Sequence, residues 1–150
     1  MTTTIAAPVE RCFDLARSID FHVEAAQSSE ERAVGGVTSG LISLEQEVEW
    51  RARHFFVWFH LRTRITEFVP PAFFQDSMVQ GPFRSFHHDH FFQWTGSETV
   101  RTDELYFKLP VLAYLLAPLM TEHFGRFLRE RNWLMKTALE SDQWRQYLPS

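Results

Sequence analysis

Glu47-Val48-Glu49-Trp50-Arg51-Ala52-Arg53-His54-Phe55 alternates almost without a break, with Glu47, Glu49, Arg51 and Arg53 on one face and Val48, Trp50, Ala52 and His54 on the other. Successive side chains of a strand point to opposite faces, so this pattern predicts a strand with one wet face and one apolar face. Phe56 to Phe68 keeps the same period: Val57, Phe59, Leu61, Thr63 and Ile65 fall on one side, His60, Arg62 and Arg64 on the other. Pro70-Pro71 ends the run, because proline has no N–H to give to a sheet ladder.

Working outward, Phe73 to Gln80 reads as the next strand, closed by Gly81-Pro82. Phe83 to Trp94 follows, and Thr95-Gly96-Ser97 turns the chain into Glu98 to Leu109. On the N-terminal side, Glu31 to Val34 is a strand punctuated by Gly35-Gly36 and Ser39-Gly40. Six strands with short connections make an antiparallel meander, and its single charged face is the one that meets water. Thr2 to Ile5 adds a short first strand.

Two short helices fit between that strand and the meander. Pro8 suits a first helical position, and Val9, Cys12, Phe13 and Ala16 follow at helical spacing with Arg11, Asp14 and Arg17 opposite. Asp20 to Gln27 reads as a second helix, with Ser18 or Asp20 near its cap. At the other end, Met120, Phe124, Phe127, Leu128, Leu134, Met135 and Ala138 form a broad apolar stripe on one long helix. That stripe needs a partner, and the large apolar face available is the sheet's. The expectation is an α+β domain spanning 1–150: a curved antiparallel sheet of about seven strands around a long C-terminal helix. Residues 142–150 read as a loose tail.

Composition narrows the function classes. A chain of 150 residues can bury about two-thirds of its unfolded surface without a metal or disulfide. The net charge of -4 gives no reason to expect a nucleic-acid partner. Cys12 is the one cysteine and falls on an apolar helix face, so it reads as a small core residue. Met1 to Ala7 has neither the basic nor the apolar region of a signal peptide. Leu109 to Met120 is the most apolar stretch, yet it is shorter than the ~20 residues a membrane span needs. The expectation is a cytoplasmic monomer or homodimer without stable membrane insertion. Fifteen Phe and five Trp are a heavy load of rings, either a ring-rich core or one that rings line without filling.

The order of elements resembles the helix-grip arrangement, and several motifs strengthen the likeness. Val48-Glu49-Trp50-Arg51-Ala52-Arg53-His54-Phe55, Arg64-Ile65-Thr66, Phe74-Gln75-Asp76-Ser77-Met78-Val79-Gln80-Gly81-Pro82-Phe83 and Phe86-His87-His88-Asp89-His90-Phe91-Phe92 together resemble a bacterial branch of the START-like superfamily. That superfamily (SRPBCC) also holds the major birch pollen allergen and the polyketide cyclase/dehydrase and lipid-transport proteins. Ile5-Ala6-Ala7-Pro8-Val9-Glu10 with Phe13, and the Arg131-Asn132 pair, are similar to the same group. The resemblance covers nearly the whole chain and implies a hydrophobic ligand held between sheet and long helix. A shared fold does not fix an activity. Val111 to Ala117 departs from the pattern: it is unusually apolar where similar proteins carry a Gly-containing turn.

Alternation places Phe86, His88, His90 and Phe92 on one inward face, with His54 beside Trp50 and Val48, Asp76 beside Phe74 and Met78, and Asp103 beside Leu105 and Phe107. Unpaired burial of such polar groups costs a few kcal/mol each, so they must find partners. Three arrangements satisfy them: His–Asp pairs that fix each imidazole tautomer, a polar end that orients a ligand, or a metal. His88 and His90 point the same way from one strand, and His54 or Asp76 would complete such a metal site. His-x-His alone is a weak signal, and the expectation is no metal and no cofactor. Arg131 falls on the apolar helix stripe, where it either snorkels to an edge or meets Asp103, Asp76 or a ligand carboxylate. No nucleophile elbow, phosphate-binding glycine loop, CxxC or dinucleotide fingerprint is present.

The resulting functional expectation is the binding or carriage of a small hydrophobic molecule, whether lipid-, aromatic- or polyketide-like. Its contacts are expected from Trp50, His54, Phe59, Phe74, Asp76, Met78, Phe86, His88, His90, Phe92, Phe107, Phe124, Phe127 and Arg131. The alternative is a cyclase- or dehydratase-like enzyme with His54, His88 or His90 as acid or base and Asp76 or Asp103 orienting it. A third expectation is an interaction module that pairs through a sheet edge or the 111–119 segment. A plain lid over the core, or a membrane contact during ligand exchange, are the two readings of that segment.

Overall fold

The computed structural model describes residues 1–148. Strand β1 (Thr2–Ile5) leads into helices α1 (Val9–Ala16) and α2 (Ile19–Ala25). The meander follows: β2 (Arg32–Gly36), β3 (Glu47–His54), β4 (Val57–Val69), β5 (Phe73–Gln80), β6 (Ser85–Trp94) and β7 (Thr99–Lys108). A 3-10 segment, Val111–Leu116, runs directly into the long helix α3 (Ala117–Leu139). All strand pairs are antiparallel, in the order β1-β7-β6-β5-β4-β3-β2. This is the helix-grip architecture, with α1 and α2 carrying the chain from one edge of the sheet to the other.

Local chemistry accounts for the element boundaries. The Ser18 hydroxyl accepts from the Phe21 N–H at 3.3 Å and starts α2. Gly36 ends β2 at a φ of 70°, where an added Cβ would lie 2.2 Å from the Glu47 carbonyl oxygen. Only glycine allows that approach. On the wet face, Glu49 accepts from Arg62 at 2.9 Å and Glu47 pairs with Arg64 across β3 and β4.

The closed part of the core lies under α1. Phe13 sets its ring edge-on to Phe68, Phe74 and Phe92 at centroid distances of 5.3, 5.5 and 5.6 Å. Cys12, Leu15 and Ile5 are fully enclosed beside it. The two halves of α3 differ. Leu128, Arg131, Asn132, Met135, Ala138 and Leu139 are buried against sheet and helices, whereas no residue from Ala117 to Phe127 is fully buried. The helix grips with its C-terminal half and stands off with its N-terminal half.

The tail expected to be loose is packed as far as it is described; positions 149 and 150 lie outside the described residues. Gln143–Gln146 forms a 3-10 turn, and Trp144, Tyr147 and Leu148 pack on the core. Arg11 covers the Trp144 ring at 4.0 Å, and Tyr147 meets Phe21 edge-on at 5.3 Å. Three large apolar side chains in six residues give this segment enough surface to bury.

Candidate functional site

A cavity of about 280 Å³ occupies the gap under the N-terminal half of α3. β3 and β4 supply Trp50, His54, Phe59, Leu61, Thr63 and Ile65, as their alternation requires. β5 and β6 add Phe74, Asp76, Phe86, His88 and His90, and α3 adds Met120, Phe124, Phe127 and Arg131. The mouth is framed by Pro82, Phe83, Pro110, Ala113 and Leu116. Eleven of the expected contact residues thus line one cavity.

Three expected liners do not reach it. Phe92 closes the core against Phe13 and Phe74. Phe107 packs behind Phe83 and Phe124. Met78 turns toward the Gly81 bend, where its sulfur would be 2.8 Å from a Cβ at Gly81. Each shares strand parity with a true liner, but parity fixes the face and not the distance along a curved strand.

The polar end of the cavity rests on a buried network. Asp103 Oδ1 accepts from Arg101 Nη2 at 2.6 Å and from His88 Nε2 at 3.0 Å, and Oδ2 accepts from Asn132 Nδ2 at 2.8 Å. His90 Nε2 donates to Asp76 Oδ2 at 2.9 Å, and its Nδ1 accepts from Arg101 Nη2 at 3.3 Å. Nε2 of each ring therefore carries a proton, because an ionised carboxylate can only accept; His90 Nδ1 also lies 3.3 Å from Asp103 Oδ1. Asp103 therefore stands behind the histidines and not in the cavity wall, in the His–Asp pairing that was one of the expected arrangements. Asp76 and His90 do form the wall, and the His90 ring stacks on Phe74 at 4.1 Å.

The electrostatics follow from burial and partners. Burial, then the neighbouring His90, lowers the His88 pKa to about 4 against the pull of Asp103. Burial pushes Asp103 up, but Arg101 and the two imidazoles outweigh it and hold the carboxyl well below its usual range. Burial also pushes Asp76 up, but its interactions with His90, His88 and Arg131 together outweigh that and hold the carboxyl low. The network therefore holds a neutral His88 between ionised Asp76 and Asp103 near neutral pH.

Arg131 does not snorkel. It is 3% exposed and faces the cavity, so the expectation of an edge position is corrected. It lies on the gripped half of the helix, where α3 is buried against sheet and helices. Its Nη2 donates to the Ala16 carbonyl at 3.3 Å, its Nε has no partner, and it pairs with no carboxylate among the described residues. Burial, then Arg101, lowers its pKa to about 10, so it stays charged near neutral pH.

Other polar groups at the cavity were not legible in the sequence. His22 bonds Glu31 and stacks on Trp50 at 4.2 Å. His123 on α3 bonds His54 at 2.8 Å near the mouth. These pairs join distant segments with no spacing signal. Arg101 carried a usable signal, since it shares strand parity with Asp103. Asp76, His88 and His90 each place a donor atom within 4.8 Å of the others, so they are the residues that could hold a metal. His54 is not in that set. Hydrogen bonds within the protein already engage all three.

Fold and cavity together define a helix-grip protein with a ring-lined interior. No family model and no curated protein matches the chain in sequence. Solved structures match it in shape. TTHA0849 of Thermus thermophilus superposes with a TM-score of 0.70 at 18% identity, covering 92% of this chain and 96% of that one. The major latex-like protein 151 of Panax ginseng gives 0.61 at 13% identity, covering 99% and 95%. The di-domain ARO/CYC StfQ from the steffimycin biosynthetic pathway gives 0.61 at 17% identity, covering 97% of this chain and 46% of that one. At these identities the likeness is one of fold: the chain shares the helix-grip architecture of these structures.

Proposed function

We propose that the chain binds a small, largely apolar molecule carrying one acceptor group, such as a carbonyl, enolate or carboxylate, in the cavity under α3. The observation that carries this reading is Arg131: a buried, charged guanidinium without a carboxylate partner, facing a cavity otherwise lined mainly by rings and aliphatic side chains. A ligand acceptor atom would supply the missing bond, and the rings would take the apolar body. At about 280 Å³ the space falls just below the ~300–1,000 Å³ range for small-molecule sites, which favours a compact ligand. A second reading, cyclase- or dehydratase-like catalysis, draws on the Asp103–His88 pair, because His88 Nδ1 is unbonded among the described residues. A base with a pKa of about 4 is weak near neutral pH, so binding leads.

The test is a panel of aromatic and aliphatic compounds, each with and without a terminal acceptor, read by thermal shift and native mass spectrometry. Acceptor-bearing members should stabilise the wild type, and Arg131→Met should weaken them by roughly 10- to 100-fold, the loss of one charge-assisted bond. Stabilisation by no member, or equal binding by wild type and Arg131→Met, would refute the binding mode. A wild-type mass change in the bound compound that His88→Gln abolishes would establish the catalytic reading instead.

A further inference from the structure

The 3-10 segment before α3 borders the cavity with part of its surface and has no buried residue. Ala113 and Leu116 face the cavity, but Leu112 and Leu115 are 100% and 95% exposed, with Val111, Tyr114 and Leu119 also turned to solvent. The six-residue 3-10 turn shows only part of its circumference to the cavity, and its remaining apolar side chains have nothing to cover them. A second exposed apolar element lies at the same mouth. Phe56, 89% exposed, tips the β3–β4 hairpin, and the adjoining Phe55 ring sits 4.7 Å from His123 on α3. Exposed apolar side chains on two elements that border one cavity mark a binding face.

Charge identifies what the face meets. Three segments rim the mouth: 53–58, 79–86 and 106–121. They contain Arg53, Arg84 and Lys108 and no Asp or Glu, in a chain whose net charge is -4. Arg84 and Lys108 are exposed, joined at the backbone by the Arg84 N–H to Lys108 carbonyl bond of 2.8 Å, and neither side chain has an acidic partner among the described residues. Arg53 lies over the Phe56 ring at 5.6 Å and shares Glu30 at 3.4 Å. Apolar and aromatic tips surrounded by basic side chains match a surface that is oily within and anionic outside, which is the profile of an acidic lipid bilayer. No helix among the described residues is long and apolar enough to cross a membrane, so the contact is interfacial.

We infer that the cavity mouth docks onto anionic lipid membranes, with Leu112, Leu115 and Phe56 entering the headgroup boundary and Arg84 and Lys108 against lipid phosphates and carboxylates. Docking goes beyond the ligand-binding reading, and it is measured with no ligand added, so either can fail alone. Vesicles of phosphatidylcholine with phosphatidylserine, and of phosphatidylcholine alone, are sedimented with the full chain, and its mass in solution is measured by light scattering. Wild type should sediment with the anionic vesicles and release as salt rises. Leu112→Asp with Leu115→Asp should lose binding by roughly tenfold or more, because two apolar anchors become charged. Both positions are outside the core and the cavity wall, so folding, checked by circular dichroism, should be kept. Arg84→Glu with Lys108→Glu should remove the preference for anionic vesicles. Absence of sedimentation, or sedimentation unchanged by the leucine variants, overturns the inference. So does a wild-type dimer that the leucine variants convert to monomer without vesicle binding, since a second copy would then cover the face.

Discussion

Arg101 and Arg131 are both buried guanidinium groups, yet their surroundings differ. Arg101, 0% exposed, gives its Nη2 to Asp103, which is further bonded by His88 and Asn132. Removing a carboxylate from such a site leaves a buried charge uncompensated, which costs about 3–5 kcal/mol. Asp103→Ala should therefore lower the unfolding free energy by about that amount in urea titration. Arg131 has one carbonyl bond and no carboxylate. Arg131→Met replaces a poorly compensated charge with an apolar side chain of similar reach, and stability should stay the same or rise by about 1–2 kcal/mol. Equal destabilisation by both changes would mean that Arg131 is a structural member of the network. A group that costs stability while facing a cavity has the profile of a functional residue.

Among the elements, α1 and α3 pack on one sheet with different completeness. α1 is locked by Phe13 among three rings, and Phe13→Ala should cost about 3–5 kcal/mol with loss of cooperativity in thermal unfolding. The C-terminal 3-10 turn acts as a clip on α1 through Arg11 and Trp144. The N-terminal half of α3, by contrast, is free of full burial. Its side chains border the cavity on one face and water on the other, so an apolar molecule can be accommodated there without displacing core residues.

For the whole molecule, the buried imidazoles set the response to acid. His88, His22 and His54 all have lowered pKa values, with burial as the first cause, so the folded chain keeps them neutral where the unfolded chain binds protons. The sign is fixed by linkage: stability is complete above pH about 6.5 and falls as the pH drops towards 4. His88 alone, with a folded pKa of about 4 against 6.5, contributes on the order of 3 kcal/mol to that loss. Urea unfolding between pH 7 and 4.5 should show a falling midpoint, and a flat profile would rule out neutral burial of these rings.

The sequence by itself determined the periodic features: strand parity on β3 to β7, the short helices, the stripe on α3, and the inward direction of His54, Asp76, His88, His90 and Asp103. Periodicity is a local property of the backbone, and a window of ten residues carries it. Tertiary structure decided which inward residues reach the cavity and which lie behind it, as with Asp103, Phe92 and Phe107. It also paired His22 with Glu31 and His54 with His123, packed the C-terminal turn, and left Leu112 and Leu115 in water. These outcomes depend on sheet curvature and on how far the long helix stands off. Both are set by contacts between segments remote in sequence, to which no local pattern responds.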